Sequence, residues 1–464
     1  MRRADCALAV ACLALACGSN QPSGASEPAD SADTPPTFTD AELSELRKLS
    51  PGDLPAPPPD ATNRFADDPK AAALGQRFFF DPSFSGALLD GDNDGTVNAL
   101  GAQGETGKVS CAGCHVPEAG FSDHRTLGKQ ISLGAGWGKR KSPSLLDIGQ
   151  ARLLMWDGRH DTLYNQPFGP VESPVEMNSS RLYVAQRIFA SYRADYEALF
   201  GPMPPLDDAE RFPPLGAELT GCELRRGDSS SDCVLRGAPG DQAEYDGMSA
   251  ADQDAVTQVI VNFGKALGAY ERLLECGPGR FDDWMAGDEA ALSASEQRGA
   301  QLFVGAGQCV RCHSGPFLSD QQFHNVGLRP TPVAVVFIDQ NDSGASLGLA
   351  AALADPLNSR GKFSDGDDGR LPTSVASGML GAFRTPTLRC VSGRPSFMHT
   401  GQLRTLADVV AFFTRGGDHF GFLGVKEITA LPLTLAQEQD LVAFLGTLEG
   451  PGPAAELLVD PGPR

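Results

Sequence analysis

The chain has 464 residues and a formal net charge of −21, enough length for two or three domains with cores of their own. So acidic a surface excludes nucleic acid as a partner and suits basic or neutral ones. With 53 Gly and 35 Pro against 7% aromatics, the composition points to helices joined by long ordered loops rather than to a large sheet.

Met1-Arg2-Arg3 followed by the apolar run Ala7 to Ala16 reads as a signal peptide over residues 1–17, too short to span a bilayer. Cys17 follows Ala14-Leu15-Ala16 in a degenerate lipobox, so plain cleavage and lipid anchoring are both open. The expected location is the periplasm, with membrane contact only through such an anchor. No later stretch is long and apolar enough to cross a membrane. Residues 18–60, rich in Ser, Pro, Ala and Asp, read as a disordered tether. Order is expected from Asp68-Pro69, an N-cap and a first-turn proline ahead of a helix over residues 70–79. Asp90-Gly91-Asp92-Asn93-Asp94-Gly95 then starts like a calcium loop but has no acid at its twelfth position, which leaves calcium on Asp90, Asp92 and Asp94 and a solvated turn as alternatives.

Cys111-Ala112-Gly113-Cys114-His115 follows. Two cysteines at this spacing can thioether-link the vinyl groups of a haem, and the adjacent histidine can ligate the iron. The pattern recurs at Cys309-Val310-Arg311-Cys312-His313. A zinc site would need further CxxC or HxxxH ligands, which the chain lacks, so two covalently bound haem c groups are predicted. Covalent haem attachment outside the bacterial cytoplasm agrees with export.

The chain also repeats itself around these motifs. Gly75-Gln76-Arg77-Phe78-Phe79 precedes the first, and Gly299-Ala300-Gln301-Leu302-Phe303 the second, in a helix that Ser293 and Glu296 would open as a capping box. Phe121-Ser122-Asp123 matches Leu318-Ser319-Asp320, and Ser142-Pro143-Ser144-Leu145 matches Thr385-Pro386-Thr387-Leu388. Thirteen residues beyond each proline stand Trp156 and His399. A mainly α fold of two cytochrome c-like helical haem domains with long loops is expected. The first would cover 61–202, an inserted loop region 203–250, the second domain 251–450 and a tail 451–464. Of the cysteines outside the leader and the haem motifs, Cys222–Cys233 closes a short loop and is the favoured disulfide; Cys276–Cys390 is the pair left over.

These motifs, with Met155-Trp156-Asp157-Gly158-Arg159 through Gln166 to Val175-Glu176-Met177, and Phe383-Arg384-Thr385-Pro386 with Met398-His399-Thr400-Gly401, resemble the bacterial di-haem cytochrome c peroxidases and their MauG-type relatives. The resemblance implies that the His115 haem reacts with hydrogen peroxide and the His313 haem relays electrons. It places Trp156 between the haems, and Gln166 and Glu176 on the open face of the first. A carboxylate there can take and return the protons that O–O cleavage requires, and a glutamine can orient the peroxide. The expected partners are peroxide and a small electron-donor protein, a cytochrome c or a cupredoxin. The alternative is a MauG-like oxidase that modifies aromatic side chains of a protein substrate; an electron-transfer or sensor protein without turnover is the third reading. Homodimerisation is left open.

Three departures stand out. Where the classical peroxidases carry a distal histidine, the run here is Gly134-Ala135-Gly136-Trp137, and Ala135 cannot ligate iron. The first haem is therefore expected to be open, with His124, nearby in sequence, as the alternative ligand. The family's sixth ligand of the second haem, fourteen residues after His399, is replaced by Phe413, so that haem either stays five-coordinate or recruits a neighbour, His419 or Met398. Lys141 stands where the family's inter-domain calcium takes an Asn, which puts that calcium in doubt.

Overall fold

The computed structural model describes residues 34–126, 131–215, 239–241, 243–331 and 341–462. The leader with Cys17, and the segment carrying Cys222 and Cys233, lie outside the described residues. The fold is mainly α. In chain order the helices are α1 (Asp40–Leu49), α2 (Pro69–Phe80), α3 (Cys111–Cys114), α4 (Phe168–Glu172), α5 (Arg181–Ser191), α6 (Arg193–Phe200) and α7 (Glu244–Gly247). They continue with α8 (Ala250–Glu271), α9 (Arg280–Met285), α10 (Ala294–Val304), α11 (Ala345–Ala354), α12 (Leu406–Thr414) and α13 (Leu435–Gly446). Two short strands, β1 (Phe323–His324) and β2 (Phe383–Arg384), pair antiparallel with Phe323 opposite Arg384.

Each haem motif is preceded by a helix that packs closely on a later one. Asp68 caps α2 by accepting from Lys70 N at 2.7 Å, and the reciprocal Ser293–Glu296 box opens α10, both where the sequence predicts. At Gly75 in α2 a Cβ would lie 1.9 Å from the carbonyl oxygen of Ala266 in α8; at Gly299 in α10 it would lie 2.0 Å from that of Asp440 in α13. The repeated glycine lets the two backbones touch. Phe78, Phe79, Phe84 and Phe263 fill the first core around this crossing, and Phe281, Phe303 and Phe444 the second.

The α2–α8 crossing corrects the expected domain map. Helix α8, assigned by sequence to the second unit, belongs to the first core, because its partner glycine lies on α2. The first haem unit is therefore completed only after the insertion. The described part of the stretch read as a disordered tether, residues 34–60, is corrected too. Helix α1 is opened by a Thr39–Glu42 capping box, and Leu46 and Leu49 are fully buried in the second core. The tail does the converse: Gln76 donates to the carbonyls of Glu456 and Val459 at 2.6 and 3.1 Å, and Tyr270 to that of Leu457 at 2.6 Å. The N-terminal helix thus clasps the second unit and the C-terminal tail the first.

Cys276, just past α8, is disulfide-bonded to Cys390 of the second unit with Cα atoms 5.9 Å apart. The leftover pair is therefore the cross-link observed between the units. Nearby, fully buried Arg389 forms an ion pair with Asp282 and donates to the carbonyls of Pro316 and Leu49, joining the turn after the second haem motif to α9 and α1. Gly75→Ala or Gly299→Ala should destabilise the protein by about 3 kcal/mol or more, since backbone rather than a flexible side chain must move. Chemical denaturation followed by far-UV circular dichroism measures it.

Candidate active site

Ser110 caps the single turn of α3, its hydroxyl accepting from Gly113 N at 3.2 Å, and the chain leaves that turn at His115. The His115 Nδ1–H is shared between the carbonyls of Phe121 and Pro143 at 3.1 and 3.0 Å. In the second unit His313 Nδ1 donates to the carbonyl of Leu318 at 2.8 Å. Committing Nδ1–H to a carbonyl leaves Nε2 bare, the arrangement a metal-ligating histidine uses. Burial pushes both imidazoles below their usual pKa, which favours the neutral ligating form. It also pushes the thiols of Cys111, Cys114 and Cys309 up to about 12, the opposite of what a reactive redox CxxC needs. The repeat extends to strained backbone. Phe121 and Leu318 have φ of 56° and 47°, and Met155 and Met398 have 66° and 69°. Ser122 Oγ donates to Ser142 O at 2.8 Å, as Ser319 Oγ does to Thr385 O at 2.7 Å.

A cavity of about 480 Å³ opens beside α3. Cys111, Cys114 and His115 line it, and so do Trp156, Gln166 and Glu176. The six residues that the resemblance assigns to the first haem site, scattered over 66 positions of sequence from 111 to 176, thus line one cavity. A haem fits the donor set: two thiols, one imidazole with its Nε2 bare, and buried cationic N–H groups on Arg125 and Lys141 without a partner among the described residues, suited to the group's anionic carboxylates. Gln166 Nε2 donates to Met155 Sδ at 3.3 Å, which fixes the amide. Trp156 Nε1 donates to Lys141 O at 2.7 Å.

His115 is the one histidine among the described lining residues. Ala135 is fully buried in a tight turn bridged between Leu133 and Trp137. Ala135 N donates to Glu176 O at 2.7 Å and Gly136 N to Val175 O at 2.9 Å. At Gly134 a Cβ would sit 2.5 Å from Glu176 O. The aspartate-rich loop grips this turn from behind. Leu89 N and Asp90 N both donate to Ala135 O, Asn93 Nδ2 donates to Gly134 O and Ala135 O at 3.2 Å, and Asp92 accepts from Trp137 Nε1 at 2.9 Å. The Asp90 and Asp94 carboxylates accept from backbone N–H groups within the loop. Among the described residues the one trio of potential ligands with converging atoms is Cys312, Asp320 and His324. There His324 is instead held between Asp320 at 2.8 Å and Glu427 at 2.7 Å.

Of the candidate sixth ligands for the second haem, His419 is exposed beside Phe420, itself 69% exposed; a surface imidazole is not placed as a buried ligand. Met398 is half-buried, and Phe413 packs edge-on against Phe412 in α12. Two groups on the first cavity escaped the sequence reading. Glu271, whose carboxyl burial pushes up to about 8, ends α8, a helix that sequence had given to the other unit. Arg140 forms ion pairs with Asp157 and, across the units, Asp342, both at 2.6 Å; no motif marked Asp342.

Residues 69–212 match the family model described as di-haem cytochrome c peroxidase. The methylamine utilization protein MauG of Methylorubrum extorquens is 29% identical over 383 residues, 82% of this chain and 78% of that one. The cytochrome-c peroxidase IdrP1 of Denitromonas iodatirespirans is 28% identical over 409 residues, 86% and 85% of the two chains. Among solved structures, the di-haem peroxidase BthA of Burkholderia thailandensis superposes with a TM-score of 0.56 at 22% identity, covering 86% of this chain and 94% of that one. A MauG-like protein associated with microbial copper homeostasis gives 0.54 at 24% identity, covering 88% and 97%. The fold is thus that of the di-haem c-type proteins. Over most of its length the chain is thus similar to MauG proteins and cytochrome-c peroxidases, and that likeness, with the di-haem match over residues 69–212, implies haem c groups.

Asn93→Leu removes both side-chain hydrogen bonds to the Gly134–Ala135 turn. It should cost about 1–3 kcal/mol and speed amide exchange at residues 134–137, read by hydrogen–deuterium exchange mass spectrometry, while exchange in α10 and α13 stays as in the wild type.

Proposed function

We propose that the protein is an exported di-haem peroxidase that reduces hydrogen peroxide at the Cys111–Cys114–His115 site, with electrons arriving through the Cys309–Cys312–His313 unit. The observation that carries this is the single cavity gathering that motif with Glu176, Gln166 and Trp156. Haem held by the two cysteines and by His115 Nε2 would supply the iron at which the peroxide O–O bond is broken. Glu176 takes a proton from the oxygen that is retained and returns it to the oxygen that leaves as water. Gln166, its amide N–H committed to Met155, offers its carbonyl oxygen to a peroxide O–H. Two electrons and two protons per peroxide give two waters. Trp156 is held between the units: its indole donates to Lys141 O, and its own carbonyl accepts from Arg384 N at 2.8 Å. With Ala135 in the buried turn, His115 is the one histidine lining the cavity among the described residues, so peroxide would need no prior reduction to enter.

A MauG-like oxidase is the second reading, favoured by Phe413 at the usual ligand position and by the MauG relative. For the second haem, Met398 is the better candidate ligand, because its repeat partner Met155 lines the first cavity. A pure electron carrier would have no use for Glu176 and Gln166 beside an open haem.

Steady-state peroxide turnover with a small cytochrome c or a cupredoxin as donor is the deciding assay. Donor oxidation supports the peroxidase; peroxide-driven change in a partner's aromatic residues with no donor turnover supports the second reading. Glu176→Gln should slow peroxide turnover by roughly 10²–10⁴-fold, and an unchanged rate removes Glu176 from the mechanism. The ferric protein should show a high-spin EPR signal from the first site; two low-spin signals would exclude an open face.

A further inference from the structure

Lys141 is 2% exposed, lines the first cavity, and its Nζ has no hydrogen-bond partner among the described residues. An ammonium taken out of water without a partner is costly by several kcal/mol, so its environment decides what completes it. The guanidinium groups of Arg125 and Arg404 stand close enough to repel it. The nearby acid, fully buried Asp123, is engaged by Arg125 at 3.1 Å and is further bonded to Thr126. The corner of the cavity therefore carries excess positive charge and needs an anion. Its backbone is fixed at both ends: Lys141 N donates to His399 O at 2.8 Å and Lys141 O accepts from Trp156 Nε1 at 2.7 Å. The repeat places a cation, Arg384, at the equivalent position of the second unit, where its N donates to Trp156 O.

We propose that Lys141 is the internal counter-ion of a carboxylate borne by the haem on Cys111 and Cys114. It thereby couples the charge of that haem to the backbone that holds Trp156 and His399. The inference rests on haem attachment at this site, as proposed above. Absence of covalent haem from Cys111 and Cys114 by peptide mass spectrometry would sink both readings, whereas the outcomes below bear on Lys141 alone.

The test uses the haem-loaded full chain. In the wild type, the haem-carboxylate bending band in resonance Raman should shift on transfer to D₂O, since its partner is an N–H donor. In Lys141→Met, the band should move and lose that shift. The ferrous-to-ferric ratio of the first haem at a fixed applied potential should fall at least about tenfold, because a nearby positive charge that favours the reduced form is gone. Lys141→Arg should retain both properties. An unchanged band and ratio in Lys141→Met would overturn the proposal. So would a wild-type band insensitive to D₂O, a measurement that does not depend on the variant folding. A wild-type band that tracks added acetate would overturn it as well, by assigning the pocket to a free anion.

Discussion

Two backbone hydrogen bonds, from Lys141 N to the carbonyl of His399 and from Arg384 N to the carbonyl of Trp156, both 2.8 Å long, join the two haem units back to back. They are copies of one another. Lys141 and Arg384 precede the Ser-Pro and Thr-Pro runs at the same spacing, and Trp156 and His399 follow them at the same spacing. A duplicated chain that pairs this way forms a pseudo-twofold contact in which each half supplies one donor and one acceptor. Around it lie Arg140, bridging Asp157 and Asp342 and stacked 5.3 Å over Phe383, and His399, stacked on the same ring at 3.6 Å. Trp156, His399 and Arg140, which belong to neither haem motif, are thus held by the contact between the units.

The contact does not act alone. Helix α1 packs into the second core and the tail into the first, while the Cys276–Cys390 bridge spans the two. The chain's ends therefore cross over, and separating the units would strip buried leucines from one and hydrogen-bonded tail from the other. This stiffness bears on function. In the relay role proposed for it, an indole couples two redox sites only if its distance to each is held, and Trp156 is anchored through both its ring nitrogen and its carbonyl.

The open face proposed for the first site would have a separate cause. Ala135 removes a ligating side chain, but the turn that carries it is also pinned by Leu89, Asp90, Asp92 and Asn93. A loop that composition suggests as an ion site serves as a buttress, its acids satisfied by amides and an indole N–H. The same turn holds the backbone of Glu176 through Ala135 N, so the wall bearing the carboxylate is rigid where peroxide would arrive.

Sequence alone determined the two haem motifs, the duplication, the capped helices at Asp68 and Ser293, and the identities of Trp156, Gln166 and Glu176. These are set locally, by covalent spacing, by caps and by short runs whose chemistry needs those residue types. The pairing of α8 with α2, the burial of α1, the Cys276–Cys390 bridge, the arrival of Glu271 and Asp342 near the first haem site, and the stranded charge of Lys141 were decided only by tertiary structure. Each depends on surfaces meeting across more than a hundred residues of chain, where a glycine's missing side chain or a lysine's missing partner has meaning only once its neighbour is in place.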